Sequence, residues 1–191
     1  TANTLNVNSN IVVQNEFKLL SGTLNDNSNE ISVLGNLYNY GFHVYGGSND
    51  GIKIVGNTQQ QNMESTGEWG KITINNPYGL LVPTTASSII VNNAVKLVNG
   101  VFDIGKNLLI LKENAVFQEG SAYGENNMVQ TNISFTDNGI RKYFNNGYSG
   151  VLTFPIGSLS KYTPVEMDID STGAGSIRVK AANEIHPTIV E

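Results

Sequence analysis

Apolar residues in this chain fall in short runs, many alternating with polar ones, and Asn, Gly, Asp or Ser closes each run. An alternation of period two is the mark of a strand, and helical periodicity is nearly absent. The runs predict strands near Ile11–Val13, Phe17–Leu20, Ile31–Leu34, Leu37–Tyr45, Ile52–Val55, Ile72–Ile74, Leu80–Val82, Ile89–Val91 and Val95–Val98. Three more follow near Val101–Asp103, Leu108–Leu111 and Ala115–Phe117. Only Ser87–Ile90 has a pattern that admits a helix.

The pattern repeats without a gap. FKLLSGTLNDNSNEISVLGN (Phe17 to Asn36) matches VKLVNGVFDIGKNLLILKEN (Val95 to Asn114) at a constant offset of 78 positions. Lys18 pairs with Lys96, Leu19 with Leu97, Gly22 with Gly100, Asn29 with Asn107 and Asn36 with Asn114. Ile31 and Val33 fall on Leu109 and Leu111, so the six apolar residues Leu19, Leu97, Ile31, Leu109, Val33 and Leu111 are expected to point inward. A repeat of this kind is one structural unit used twice, each copy needing neighbours to cover its core.

Two architectures fit such strands, an antiparallel sandwich and a parallel solenoid. The strands are very short, and hairpin chemistry between neighbours is sparse. The offset would hold three or four coils of roughly 20–26 residues, a solenoid repeat. The expected fold is therefore all-β, a right-handed parallel β-helix over residues 1–122. Asn36, Asn57, Asn75 and Asn114, each ending a strand-like run, are candidates to stack from coil to coil. After Gly120 the strands lengthen: Met128–Phe135, Gly139–Tyr143, Val151–Phe154, Val165–Asp170 and Ser176–Ala181. VEMDID, STGAG and SIRVKA read as a hairpin with a five-residue loop. Residues 125–191 are expected to form a C-terminal β cap or the start of a β-sandwich, because an end coil exposes a sheet edge that something must cover.

The net charge of -5 over 191 residues argues against a nucleic-acid partner, which needs a basic footprint, and against docking on anionic lipid. No apolar run approaches the roughly 18 residues of a membrane helix. Cysteine is absent, and a chain this long can hold itself by its core alone. The start at Thr1 and the HPTIVE end read as a monomeric fragment of a longer chain.

Candidate chemistry is sparse. His43 and His186 lie far apart and lack metal-ligand spacing, so no metal and no cofactor is expected. Asp168 and Asp170 resemble the opening of a calcium loop, but Val179 occupies the position that needs an acid. Asp103 with Lys106, and Glu113 with Glu119, are the carboxylate groupings a glycoside-cleaving face would use; scattered surface carboxylates are the simpler reading. Tyr38, Tyr40 and Phe42 alternate along one predicted strand, with Tyr45, Trp69 and Tyr78 near them. Exposed aromatics stack on sugar rings, which makes Tyr38, Tyr40, Tyr45 and Trp69 the candidate ligand contacts; burial inside the coil is the alternative.

GIKIVGNTQQ, GKITINN, LLV and SIIVNNAVKLVNGVFDIGKNLLIL are similar to modules of large secreted surface proteins of Bacteroidetes, typically exported by the type IX secretion system. Gln59–Gln61, Ile72–Asn76, Val95–Gly100 and Asn107–Leu111 carry that resemblance. Phe154-Pro155-Ile156-Gly157 and Tyr162-Thr163-Pro164 resemble the segment that follows such modules. The resemblance implies an extracellular, cell-surface location and a non-catalytic structural or adhesive module of a larger protein. Its partners would be surface glycans or other cell-surface protein segments. The alternatives are a carbohydrate-active β-helix, lyase or hydrolase, and a sugar-binding module.

Overall fold

A three-residue strand cannot satisfy its own backbone groups, and in this protein the coils before and after it do so. The computed structural model describes residues 3–47, 49–83, 88–132, 134, 136–159 and 161–182. Among these the chain is all-β, a β-solenoid of about six turns.

The first coil places β1 (Thr4–Asn6), β2 (Ile11–Val13) and β3 (Phe17–Leu19) on three successive walls. The second contributes β4 (Thr23–Asn25), β5 (Ile31–Val33) and β6 (Leu37–Asn39), the third β7 (Phe42–Val44), β8 (Ile52–Ile54) and β9 (Gln61–Ser65). In the fourth, β10 (Glu68–Asn75) runs along two walls before β11 (Leu80–Leu81). In the fifth, β12 (Ile89–Asn99) does the same before β13 (Phe102–Gly105). The sixth holds β14 (Leu108–Leu111), β15 (Val116–Glu119) and β16 (Val129–Thr131). All ladders between these coils are parallel. Ile89 and Ile90, within the one segment that admitted a helix, begin β12; Ser87 lies outside the described residues.

Parallel register stacks like on like. Ile11, Ile31, Ile52, Ile72, Val95 and Phe117 form one column, and the four central members are completely buried. Of the six residues expected inside, Ile31, Val33, Leu97, Leu109 and Leu111 are buried, and Leu19 is half-buried against the same core. The two repeat copies occupy different walls. Phe17 stacks on Leu37 and Leu37 on Met63, whereas Val95 stacks on Ile72 of another wall. The offset of 78 is thus not a whole number of coils. What repeats is a strand–corner–strand unit, and its shared residues do the same work twice. Gly22 and Gly100 both turn a corner with positive φ (78° and 102°). An added Cβ would meet Asn3 O in the first case and Asn76 O in the second. Asn29 Nδ2 donates to Asp26 O at 3.2 Å and to Val7 O of the preceding coil at 2.8 Å. Asn107 Nδ2 donates in the same way to Ile104 O at 2.9 Å and Val82 O at 3.2 Å. The coil-to-coil polar links differ from the expected Asn stack: Asn36 Oδ1 accepts from Asn62 N–H, and buried links run through Asn39, Asn107, Gln61 and Asn76. Gln61 Nε2 donates to Val33 O and Gly35 O, and its Oε1 accepts from Gly56 N–H and Asn76 Nδ2.

The parallel ladders run past residue 122. β17 (Gly139–Phe144) pairs with β14, and β19 (Ile156–Ser158) pairs with β16; between them lies β18 (Ser149–Phe154). The chain then returns through β20 (Lys161–Tyr162), β21 (Val165–Asp170) and β22 (Gly175–Val179). β21 and β22 are not a hairpin with each other. Ile140 faces Val179, Phe144 faces Gly175, Ser149 faces Asp170, Phe154 faces Val165 and Gly157 faces Tyr162. Each step forward on the outgoing arm is matched by one step back on the return arm. Residues 139–179 therefore form one long antiparallel ribbon, its outgoing arm the last coil and its return arm laid along that coil's free edge. The STGAG segment is an irregularity within the return arm, held by Ser171 N–H to Tyr148 O at 2.8 Å. A long partner offering continuous register outweighs the local turn propensity. Exposed Glu166, Asp168 and Asp170 on the return arm discourage further edge pairing.

Candidate functional site

The four candidate aromatics do not form one platform. Trp69 is completely buried, its Nε1–H donating to Ser65 Oγ at 3.0 Å and its ring 6.3 Å from Phe17. It is a core residue, because β10 is interior along most of its length and a large apolar ring fills the coil. Tyr38 lies on β6 with Lys18 Nζ 5.0 Å from its ring centroid, and Tyr40 is exposed just past that strand. The predicted run Leu37–Tyr45 is broken by a corner at Tyr40–Gly41, so Phe42 starts another wall. Tyr45 stands at the corner after β7, its hydroxyl donating to Asn49 O at 2.9 Å.

Tyr45 alone of the four borders a polar groove, of about 530 Å³, whose other walls include Asn10, Glu30, Asn49, Asp50, Lys71 and Lys96. Asp50 is its electrostatic centre. Lys96 Nζ lies 2.8 Å from Oδ1, Lys53 Nζ 3.4 Å from Oδ2 and Lys71 Nζ 3.8 Å from Oδ1. Lys53 also reaches Glu30 at 3.1 Å. Burial works against ionisation of Asp50, but the Lys96 and Lys53 ammoniums outweigh it and hold the carboxyl below its usual range. Burial pushes Lys71 down, although it donates to Asn49 O at 2.8 Å and its Nζ lies 5.2 Å from the Tyr45 ring centroid. Three ammoniums thus face Asp50 and Glu30, and the buried Asp26 carboxylate also acts on Lys71. Asn49 Nδ2, buried, has no partner among the described residues.

None of these cluster residues except Tyr45 stood out as a site residue in sequence, yet a signal existed. Ile52-Lys53-Ile54, Ile72-Thr73-Ile74 and Val95-Lys96-Leu97 are apolar–polar–apolar triplets on adjacent coils in one register. The polar member of each points away from the coil interior, so Lys53, Thr73 and Lys96 form one column, in which Thr73 is covered and donates to Asp50 O at 2.7 Å.

Other acidic candidates are engaged or apart. Asp103, its carboxyl pushed up by burial, accepts from Gly105 N–H and Gln130 Nε2 at 2.9 and 3.0 Å. Asp26 is buried against His43, Oδ2 to Nε2 at 3.2 Å. Gly70 N–H donates to His43 Nδ1, so the ring proton on Nε2 is the one shared with Asp26. Burial opposes the charge on Asp26, but His43 and the Gly46 and Ser28 N–H groups keep its carboxyl low. Among the described residues no group of three His, Asp or Glu side chains is placed to hold a metal; His186 lies outside them.

A second cavity, of about 410 Å³, opens between β15 and the outgoing arm of the ribbon. Here β18 pairs with β21 instead of continuing the ladder on β15, and the wall splays. Phe117, Val151, Leu152 and Phe154 line it, with Tyr123, Tyr148, Glu119 and Lys142. No family model, curated protein or solved structure matches the chain.

Proposed function

We propose that this protein is a non-catalytic structural and adhesive module of a larger bacterial cell-surface protein, acting outside the cell. The observation that carries this reading is the mechanical continuity of the coil. Parallel ladders follow one another from β1 to β19 around one apolar interior, and an antiparallel ribbon closes the last edge. Backbone hydrogen bonds run along the long axis, with about 4.8 Å gained per coil. Such a rod is stiff without cysteine or cofactor, which suits a spacer that projects a binding surface. The resemblance to modules of Bacteroidetes surface proteins supports the same reading.

Adhesion has a place in this picture. The Tyr45–Asp50–Lys96 groove faces outward from the rod and offers ring, amide and ammonium groups to an acidic surface glycan. Its carboxylates are tied to lysines, which suits holding a ligand better than transferring a proton.

A glycan array combined with a polysaccharide-degradation screen tests this reading. Retention of uronate- or sulfate-bearing glycans without release of new ends supports it. Turnover of any polysaccharide, abolished by Asp103→Asn or Asp50→Asn, would overturn it in favour of a carbohydrate-active β-helix.

A further inference from the structure

Lys142 occupies a position built for an apolar side chain. Trp69, Val91 and Leu111 form an interior column, and Lys142 is its next member. It is only 2% exposed. A buried ammonium is ordinarily matched by a carboxylate. Among the described residues no carboxylate lies within ion-pairing distance of this one. Nζ donates instead to two neutral acceptors, Lys112 O at 2.8 Å and Glu113 O at 2.7 Å, and lies 5.5 Å from the Phe144 ring centroid. Its third proton has no acceptor among the described residues.

The surroundings say what is missing. Lys142 lines the cavity under the ribbon, whose wall combines ring and aliphatic surface (Phe117 and Phe154 in edge contact at 6.4 Å, Val151 and Leu152) with the polar Glu119, Tyr123 and Thr153. We propose that this cavity binds a small monocarboxylate with a ring-sized apolar body, the carboxylate pairing with Lys142 and the body filling the space between β15 and β18. A volume of about 410 Å³ lies within the roughly 300–1,000 Å³ usual for ligand sites.

Of the charges at the cavity, Lys142 favours an entering anion and Glu119 opposes one, so the anion must seat on the Lys142 side. Glu113 alone among carboxylates bears on Lys142, through space, and burial still holds the ammonium down at about 8. Glu119 accepts from Tyr123 N–H and acts on Tyr123, which burial pushes up to about 12, and on Tyr162. Opposite Lys142 on β22 stands Ile177, and on β14 Leu111, neither charged. A bound carboxylate would therefore raise Lys142, and its affinity would fall once the free lysine deprotonates.

The test is titration of the whole chain with 2-naphthoate and, separately, the neutral 2-naphthamide at pH 7, read by ligand fluorescence anisotropy. The acid should bind saturably and at least tenfold more tightly than the amide, and its affinity should fall about tenfold between pH 7 and 10. Lys142→Met should abolish the preference for the acid. Val151→Trp, at an exposed cavity wall distant from the ammonium in sequence, should block both ligands and decides the matter should Lys142→Met fail to fold. Equal affinities for acid and amide, no saturable binding of the acid, or unchanged binding in Val151→Trp would each overturn the proposal.

Discussion

Lys142→Met, followed as a function of pH, isolates the energetic consequence of burying a lysine in the last coil. In the folded chain burial brings this ammonium down to about 8, against roughly 10.4 in an unfolded chain. Below about pH 8 both states carry the proton, and the folded state bears the desolvation of the charge. Between about pH 8 and 10.4 the unfolded chain still binds the proton while the folded chain has released it. The unfolded state then holds more protons, so stability rises with pH. The difference of about two pKa units corresponds to roughly 3 kcal/mol. Methionine has no such titration, and tyrosines common to both proteins cancel in the comparison. Urea denaturation at intervals from pH 6.5 to 10.5 should therefore show the wild type gaining roughly 3 kcal/mol on the variant as pH rises. The offset at pH 7 is not diagnostic, because the variant also leaves Lys112 O and Glu113 O without their donor, at about 1–3 kcal/mol each. The slope is the diagnostic quantity. A difference between the two proteins that stays constant to within about 0.5 kcal/mol across this range would refute the buried-ammonium reasoning.

Leu97→Ala, at a completely buried site, should cost about 2–5 kcal/mol in denaturant unfolding, and half-buried Leu19→Ala less; a loss under about 0.5 kcal/mol at Leu97 would place it outside the core. Gly100→Ala should destabilise by about 2 kcal/mol or more, through positive φ plus overlap with Asn76 O, whereas Gly147→Ala, with positive φ but open space, should cost about 1 kcal/mol; equal losses would remove the close-approach argument. Asp50→Asn should destabilise at pH 7 and converge on wild type at acid pH, because a carboxyl held low when folded stabilises above the unfolded value near 3.9 and loses that contribution as pH falls through the folded value; a pH-independent difference would show that the lysines do not act through its charge.

The solenoid was legible because its physics is local. Apolar–polar–apolar triplets closed by Asn or Gly encode short strands, and the matched pairs Gly22/Gly100 and Asn29/Asn107 encode the corners that join them. What was not legible depends on partners far away in the chain. The shift of the repeat by one wall follows from the summed lengths of intervening corners, such as the extended loop before β9, which no local pattern reports. VEMDID and SIRVKA look like a hairpin because STGAG is good turn chemistry, but their true partners are the strands 139–154. Trp69 misled for the same reason, because exposure is decided by which wall a residue faces, and one register position separates an outward side chain from an interior one. Of the candidate aromatics only Tyr45 borders the groove, and the lysine column beside it was not read, since Lys53 and Lys96 become neighbours only when the coils stack.

The proposal that the groove holds a glycan without chemistry is tested most directly by affinity electrophoresis in gels cast with a uronate-bearing polysaccharide, with released reducing ends assayed in the same gel. The expected result is retardation of the wild-type chain, loss of retardation in Tyr45→Ala and Lys96→Ala at unchanged folding, and no accumulation of reducing ends. Retardation that persists in both variants, or reducing ends that accumulate with the wild type, would contradict it.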